Sequence, residues 1–222
     1  MTLRAQLFAM TYNAQIARVD KGGLGAMRRE LLAGVGGHVL EIGTGTGGNL
    51  PLYGEAVESL TLTEPETPML RRLERRVRSD APEAKVFRAP AEDLPFDDDS
   101  FDVAVSTLVL CGVNDQPRAL RELRRVLRPG GELLFLEHVR SEDPVLARKQ
   151  DRMNWLNRIV ACCDCNRPTL ASIVDAGFAV ANVRHDELPK APKFVRPLVA
   201  GSAIAPVAER GRDPRGATTA ST

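Results

Sequence analysis

Glycines 43, 45, 47 and 48 stand directly after the apolar run Val39-Leu40-Glu41-Ile42. A strand ending in such a turn lets a ligand approach the backbone where a side chain would block it. The amides of a helix starting there are then open to polar ligand atoms. Glu64 ends the next β-rich run, 21 residues after Gly43, where a carboxylate can accept both ribose hydroxyls of an adenosine. Gly43, Gly45 and Gly48 also satisfy G-x-G-x-x-G. The turn alone therefore leaves an NAD-dependent oxidoreductase open.

A second set of residues could move protons or hold a substrate. His138 follows the apolar stretch Leu133–Glu137, which puts it at the carboxyl edge where open α/β sheets bind ligands. Its ionisation range suits a general base, although a structural histidine beneath the site fits the same pattern. Glu137 could orient the ring, but neighbours on a strand point to opposite faces. His38 and His185 have no comparable context. Cys111 could face a substrate or serve as a small buried apolar residue. The run Cys162-Cys163-Asp164-Cys165 invites a zinc reading, yet lacks paired C-x-x-C spacing and a histidine pair. No metal is expected, and the run fits a helical substrate cover that also carries Trp155. Asp164, Asn166 and Arg167 would order that cover or bind substrate. Arginines 71, 72, 75, 76 and 78, and 118, 121, 124, 125 and 128, lie on two helices. They read as solvated faces paired with Glu74 and Glu122. No aromatic residues interleave for base stacking, so no nucleic-acid partner is expected.

These residues need a frame, and 222 residues suffice for one α/β domain. Formal net charge is +1, with 43% hydrophobic and 27% charged residues, the balance of an ordinary globular protein. No apolar run reaches the ~20 residues of a membrane span, and the N-terminus lacks a secretory pattern. Clustered cysteines fit a reducing compartment, so a cytoplasmic protein is expected. Residues 1–36 read as an N-terminal helical cap with Leu3, Leu7 and Phe8 in a stripe, interrupted by Gly22, Gly23 and Gly25, and with a second helix over Ala26–Ala33. Strands are expected at Val39–Ile42, Leu60–Thr63, Lys85–Arg88, Phe101–Leu110 and Leu133–Glu137, and helices at Thr67–Ser79 and Pro117–Leu127, the latter ended by Pro129-Gly130-Gly131. Residues 140–167 form the cover. A helix over Thr169–Ala176, closed by Gly177, precedes strands at Phe178–Val183 and Phe194–Ile204. The tail 207–222 has a disordered composition. Strand–helix alternation over 37–139 predicts a Rossmann-like, doubly wound, mostly parallel α/β sheet within a single domain spanning 1–206.

Three features favour S-adenosylmethionine (SAM) over a dinucleotide: the long N-terminal helical segment, Glu41 two residues before Gly43, and Val126-Leu127-Arg128-Pro129-Gly130-Gly131 before the fifth strand. With Ala91-Glu92-Asp93-Leu94-Pro95-Phe96 and Ser100-Phe101-Asp102, residues 37–137 resemble class I SAM-dependent methyltransferases of the ubiquinone/menaquinone type. The resemblance implies that Glu41, Gly43, Gly45 and Gly47 hold the methionine part of SAM and Glu64 the ribose. Met69 would pack on adenine, and Ala91 and Glu92 would line its edge. Where the pattern has an acid or amide before that alanine, this chain has Pro90, which leaves Glu92 for the exocyclic amine. Thr107 and Leu108 would offer backbone carbonyls to the SAM amino group, and Tyr12 would close over the site. Thr107–Cys111 with Val113, Leu136-Glu137-His138-Val139, Trp155, Asp164–Arg167 and Val195-Arg196-Pro197 resemble the methyltransferase-like family that includes microsomal alkyl thiol S-methyltransferases. That implies a small-molecule acceptor, with a thiol favoured, and Cys111 and Trp155 at the substrate. A phospholipid amine, a phenol or a quinone-type ring is the alternative acceptor, and a SAM-binding regulator an alternative class. The membrane-anchoring helix of the microsomal members is not expected here.

Overall fold

The computed structural model describes residues 19–160, 163–188 and 190–207. The expected helix over the first residues, Tyr12, Cys162 and the tail beyond Val207 lie outside the described residues. A π-helical turn at Asp20–Leu24 leads into α1 (Gly25–Leu31), and Gly23 kinks the chain within that turn at φ 139°. The alternating core follows as β1 (Gly37–Glu41), β2 (Val57–Thr63), α2 (Thr67–Asp80), β3 (Lys85–Phe87), β4 (Phe101–Thr107), α3 (Gln116–Val126) and β5 (Leu127–His138). The chain then runs through α4 (Pro144–Val160), α5 (Thr169–Asp175), β6 (Ala179–Glu187) and β7 (Pro197–Ile204).

The seven strands form one sheet in the order β3-β2-β1-β4-β5-β7-β6. Strands β1 to β5 are mutually parallel, and β7 runs antiparallel between β5 and β6. Sequence order reverses between β1 and β4, which makes that gap the switch point where doubly wound sheets bind ligands. Alternation along the strands feeds two cores. Leu40, Ala104, Leu133 and Phe135 pack on one face with Leu120, Leu123 and Val126 of α3 and Ile173 of α5. Val39, Val103, Val105 and Leu134 pack on the other with Leu73 and Val77 of α2. Both central faces are covered, as continuous apolar strands require.

Helix starts follow local chemistry. Pro68 and Pro117 sit in the first turns of α2 and α3, where a missing N–H costs nothing. The Asp115 carboxylate caps α3 by accepting from the Arg118 amide at 3.0 Å. Two expectations are corrected. No α-helix follows the glycine turn: turns lead to a single 3-10 turn at Leu50–Leu52, because Gly47, Gly48, Pro51 and Gly54 oppose helix propagation. Pro129-Gly130-Gly131 does not separate α3 from a later strand. It lies inside β5, where Leu127 pairs with Phe101 and Glu132 with Val103, so the intervening residues are bulged out of register.

Candidate active site

The carboxyl ends of β1, β2, β4 and β5 converge on the switch point. After β1 the chain turns through Gly43, Gly45 and Gly47 with φ of 53°, 63° and 84°. These are left-handed conformations that side chains disfavour. At Gly43 a Cβ would also stand 2.6 Å from Val109 Cγ1 of the loop after β4. The turn is fixed to β2: the Thr44 amide donates to Thr63 O at 2.9 Å, and the Gly45 amide donates to Glu64 Oε2 at 2.9 Å. Glu64 Oε1 accepts from the Glu66 amide at 2.8 Å. Burial pushes the Glu64 carboxyl up to about 7, against the pull of the Glu66 and Gly45 amides. Each oxygen keeps a lone pair, enough for the two hydroxyls of a ribose.

Beneath the turn, Glu41 is 2% exposed. It accepts from Asn49 Nδ2 at 3.1 Å and from the Tyr53 hydroxyl at 2.6 Å. Burial pushes its carboxyl up to about 7, opposed by Tyr53, the Arg28 charge and Asn49. A small pocket here is lined by Arg28, Glu41, Gly43, Thr44, Thr46, Gly48, Asn49 and Thr107. Two polar atoms at this pocket are buried without a hydrogen-bond partner, Arg28 Nε and Asn49 Oδ1. Buried polar atoms rarely stay unpaired. A cationic donor and a neutral acceptor beside a carboxylate fit an amino-acid zwitterion, its carboxylate towards Arg28 and its ammonium towards Asn49 and Glu41. Arg28, Asn49 and Tyr53 escaped the sequence reading. Arg28 lies on α1, remote from any motif, and its burial at 5% exposure is the signal, visible only after folding.

At the end of β4, Thr107 Oγ1 accepts from Asn49 Nδ2 at 3.0 Å. Leu108 adopts φ 59°, a left-handed conformation costing a branched residue about 1–3 kcal/mol. Its amide donates to Leu136 O at 2.8 Å. Glu137, fully buried, supplies the rest of the restraint. It accepts from Ser106 Oγ at 2.6 Å, the Val109 amide at 3.0 Å and the Cys111 amide at 3.1 Å. Glu137 therefore shapes the 106–111 turn and does not orient His138, a correction that follows from strand alternation. Met69 and Ala91 are buried at the starts of their segments. Glu92 Oε1 accepts from the Asn114 and Asp115 amides at 2.7 and 3.2 Å. It thus ties the β3–β4 connection to the start of α3, leaving Oε2 for an adenine edge. The Leu94–Phe96 stretch is held by α3: Arg125 donates to Phe96 O and Leu94 O at 2.7 and 3.0 Å, and the Leu94 amide donates to Glu122 Oε2 at 2.9 Å. Arg125 is thus a structural clamp and not part of a solvated face.

His138, at the end of β5, meets two sulfurs. Cys111 Sγ lies 3.6 Å and Cys163 Sγ 3.8 Å from His138 Nδ1, and all three groups are buried. His138 Nε2 is buried without a partner. Hydrogen bonding from Cys111, then from His138 and Asn157, lowers the Cys163 thiol against burial, while the same contact and burial push Cys111 up. Cys163 and Cys165 are not part of the cover helix, since both follow α4. Asp164 and Arg167 order this segment. The Asp164 amide donates to Cys111 O at 2.8 Å, while Arg167 Nη2 donates to Asp164 Oδ2 at 2.7 Å and to Val113 O at 2.6 Å. Trp155 stands on α4 with 62% of its surface exposed, outside this cluster.

A sheet with an antiparallel β7 beside β5, a glycine turn at the carboxyl edge of β1 and an acid closing β2 define a nucleoside-binding α/β domain of the class I methyltransferase type. Residues 40–135 match the methyltransferase domain family. The human thiol S-methyltransferase TMT1A is 31% identical over 211 residues, spanning 89% of this chain and 82% of that protein. The phosphatidylethanolamine N-methyltransferase of Cereibacter sphaeroides is 33% identical over 129 residues, 54% of this chain and 63% of that protein. Among solved structures, the [4+2]-cyclase SpnF aligns with a TM-score of 0.68 at 20% identity, covering 84% of this chain and 81% of its own. The geranyl diphosphate C-methyltransferase of Streptomyces coelicolor, solved with S-adenosyl-L-homocysteine, aligns at 0.64 and 15% identity, covering 82% and 77%. The last two carry the fold alone. The chain belongs to the class I SAM-dependent methyltransferases, within the family that includes the thiol S-methyltransferases, and its cofactor is SAM. The NAD reading left open by Gly48 falls away, since no α-helix N-terminus follows the turn to receive a pyrophosphate. Among the described residues, no helix is long and apolar enough to cross a membrane.

Proposed function

We propose that this methyltransferase acts on a small-molecule thiol. The observation that carries the reading is the partnering of Glu137 and His138. The buried carboxylate is spent on the 106–111 backbone and Ser106, and the imidazole faces two cysteine sulfurs. Among the described residues, His138, read from sequence as the catalytic base, thus has no carboxylate behind it of the kind that strengthens a base for a hydroxyl or carbon acid. A thiol ionises near pH ~8.5 and needs only a modest downward shift to become the nucleophile. An ammonium or phenol, with pKa about 10, needs more help. The likeness to the human thiol S-methyltransferase over most of the chain supports the same acceptor.

SAM supplies an electrophilic methyl on a sulfonium that loses its charge on transfer. The protein's part is alignment and exclusion of water. Arg28, Asn49 and Glu41 hold the amino-acid end, with Gly43, Gly45 and Gly47 letting it approach the backbone. Glu64 takes the ribose, and Met69, Ala91 and Glu92 flank the adenine. The carbonyls of Thr107 and Leu108 face the amino group, with Leu108 locked in its turn by Glu137. Cys111 and His138 border the acceptor. Methyl transfer from labelled SAM to matched panels of thiols, amines and phenols tests this. Thiol products are expected; turnover of amines or phenols with thiols inert would refute it.

A further inference from the structure

We propose that Cys111, Cys163 and His138 form a Cys2His site for one zinc-type divalent cation, whose fourth position, unfilled among the described residues, is open to an exogenous thiolate. The three donor atoms come from the loop after β4, the end of β5 and the segment after α4, and all lie within 4.8 Å of one another. Zinc binds sulfur at ~2.3 Å and imidazole nitrogen at ~2.0–2.1 Å in tetrahedral geometry, so the sulfur–nitrogen edges of such a site are about 3.6 Å. The Cys111 and Cys163 sulfurs stand 3.6 and 3.8 Å from Nδ1. A single ring nitrogen can serve only one thiol as a hydrogen-bond partner at a time, whereas a cation at the centre of the set satisfies all three donors.

The supports around the cluster suit a metal site. Asn157 Nδ2 donates to Cys163 Sγ at 3.3 Å, an N–H···S contact that a thiolate ligand strengthens. The Cys111 amide is held by Glu137 and its carbonyl accepts from the Asp164 amide. His138 O accepts from Thr169 Oγ1 at 3.2 Å. Binding releases to solvent the protons still carried by the thiols. The resulting cation, two thiolates and neutral imidazole sum to zero charge, which lowers the penalty of burying them. With Nδ1 on the cation, the ring proton resides on the buried Nε2, which points away from the metal. On this reading His138 is a ligand and not the base, and the cation itself acidifies an incoming thiol. The thiolate-acceptor clause rests on the proposed thiol function; the cation site does not. Three local cysteines without the expected spacing hid the site in the sequence, because of the described cysteines in that run Cys163 takes part and Cys165 does not.

The test uses the full chain, purified, stripped with a chelator and dialysed against zinc. The expected stoichiometry is about one zinc per chain. It should fall below a tenth in Cys163→Ala and in Cys111→Ala and stay near one in Cys165→Ala, whose sulfur faces Asn154 instead. Cobalt(II) loading of the unmutated chain should give a thiolate-to-metal charge-transfer band, a readout independent of whether a variant folds. Addition of a small alkanethiol should shift the cobalt d–d bands. Absence of zinc and of the charge-transfer band from the unmutated chain would overturn the site, as would equal zinc in Cys163→Ala. Unchanged d–d bands on adding thiol would overturn the open fourth position. Zinc bound with no thiol methylation would sink the acceptor reading and leave the cation site standing; thiol methylation by a chain that binds no cation would do the reverse.

Discussion

Affinity for the cofactor product should fall steeply below neutral pH, because the two carboxyls assigned to it are poised there. In the empty protein burial lifts both Glu41 and Glu64 to about 7. An ammonium beside Glu41 and ribose hydroxyls on Glu64 both favour the ionised form, so binding requires deprotonation. A group with pKa about 7 must give up a factor of roughly 11 at pH 6 but only about 2 at pH 7. Each carboxyl thus weakens binding about 5-fold between pH 7 and pH 6. Together they weaken it about 30-fold, or about 2 kcal/mol at 1.36 kcal/mol per decade. Titration calorimetry with S-adenosylhomocysteine at pH 6, 6.5 and 7 measures this directly, and buffers of different ionisation enthalpy count the protons released. Glu41→Gln should halve the logarithmic slope. A flat affinity between pH 6 and 7, with no proton release, would refute the placement of these carboxylates on the ligand.

Other outcomes follow from the same contacts. Glu64→Ala should weaken S-adenosylhomocysteine binding by about 1.5–3 kcal/mol, the range for a hydrogen bond to a charged group; equal affinity would remove Glu64 from the ribose. Arg28→Met should weaken S-adenosylhomocysteine by a similar ~2 kcal/mol yet spare methylthioadenosine, which lacks the amino-acid end; equal losses for both ligands would count against a carboxylate contact. Gly43→Ala should lower Tm by several degrees, at about 2–4 °C per kcal/mol for a chain of this size, because its Cβ would meet Val109 Cγ1 at 2.6 Å. Val109→Ala in the same chain should restore part of the loss, and an unchanged Tm in the single variant would contradict the close approach. The empty protein's stability should also fall with rising pH. Both carboxyls sit above the ordinary 4.5 when folded, so their contribution is full below about pH 4.5 and is lost through pH ~7, at up to about 3 kcal/mol each. Thermal melts from pH 5 to 8 should show that decline, and saturating S-adenosylhomocysteine should flatten it.

The fold was legible where the information is local. Pro68, Pro117 and the Asp115 cap start α2 and α3 within a residue of their expected positions, and the apolar runs of β1 and β4 mark central strands by composition alone. Legibility failed where neighbouring strands decide. The Pro129-Gly130-Gly131 segment reads as a stop between helix and strand. Its residues instead bulge out of β5, since β4 supplies partners on both sides and Ala205 receives and returns backbone bonds with Gly130 and Gly131. The glycine turn reads as the entrance to a helix, but its own glycines make helix propagation too costly.

The site divides along the same line. Gly43, Gly45, Gly47 and Glu64 act through backbone conformation and strand ends, which short spacing can reveal. Arg28 and the Cys111–His138–Cys163 set depend on which remote segments meet. Glu137 shows how the two classes join. Beside His138 in sequence, it invites pairing with that ring, yet alternation sends its side chain to the opposite face. There its two oxygens fold the end of β4, holding Leu108 in its left-handed turn and fixing the Cys111 amide. Arg167 and Asp164 then draw the chain after α4 onto that loop through Val113 O and Cys111 O. Cys163 reaches His138 as a consequence. The backbone that shapes one wall of the SAM pocket therefore also sets the spacing of the sulfur cluster. Loosening Glu137 should disturb cofactor affinity and cluster geometry together, whereas Cys163→Ala should alter only the cluster.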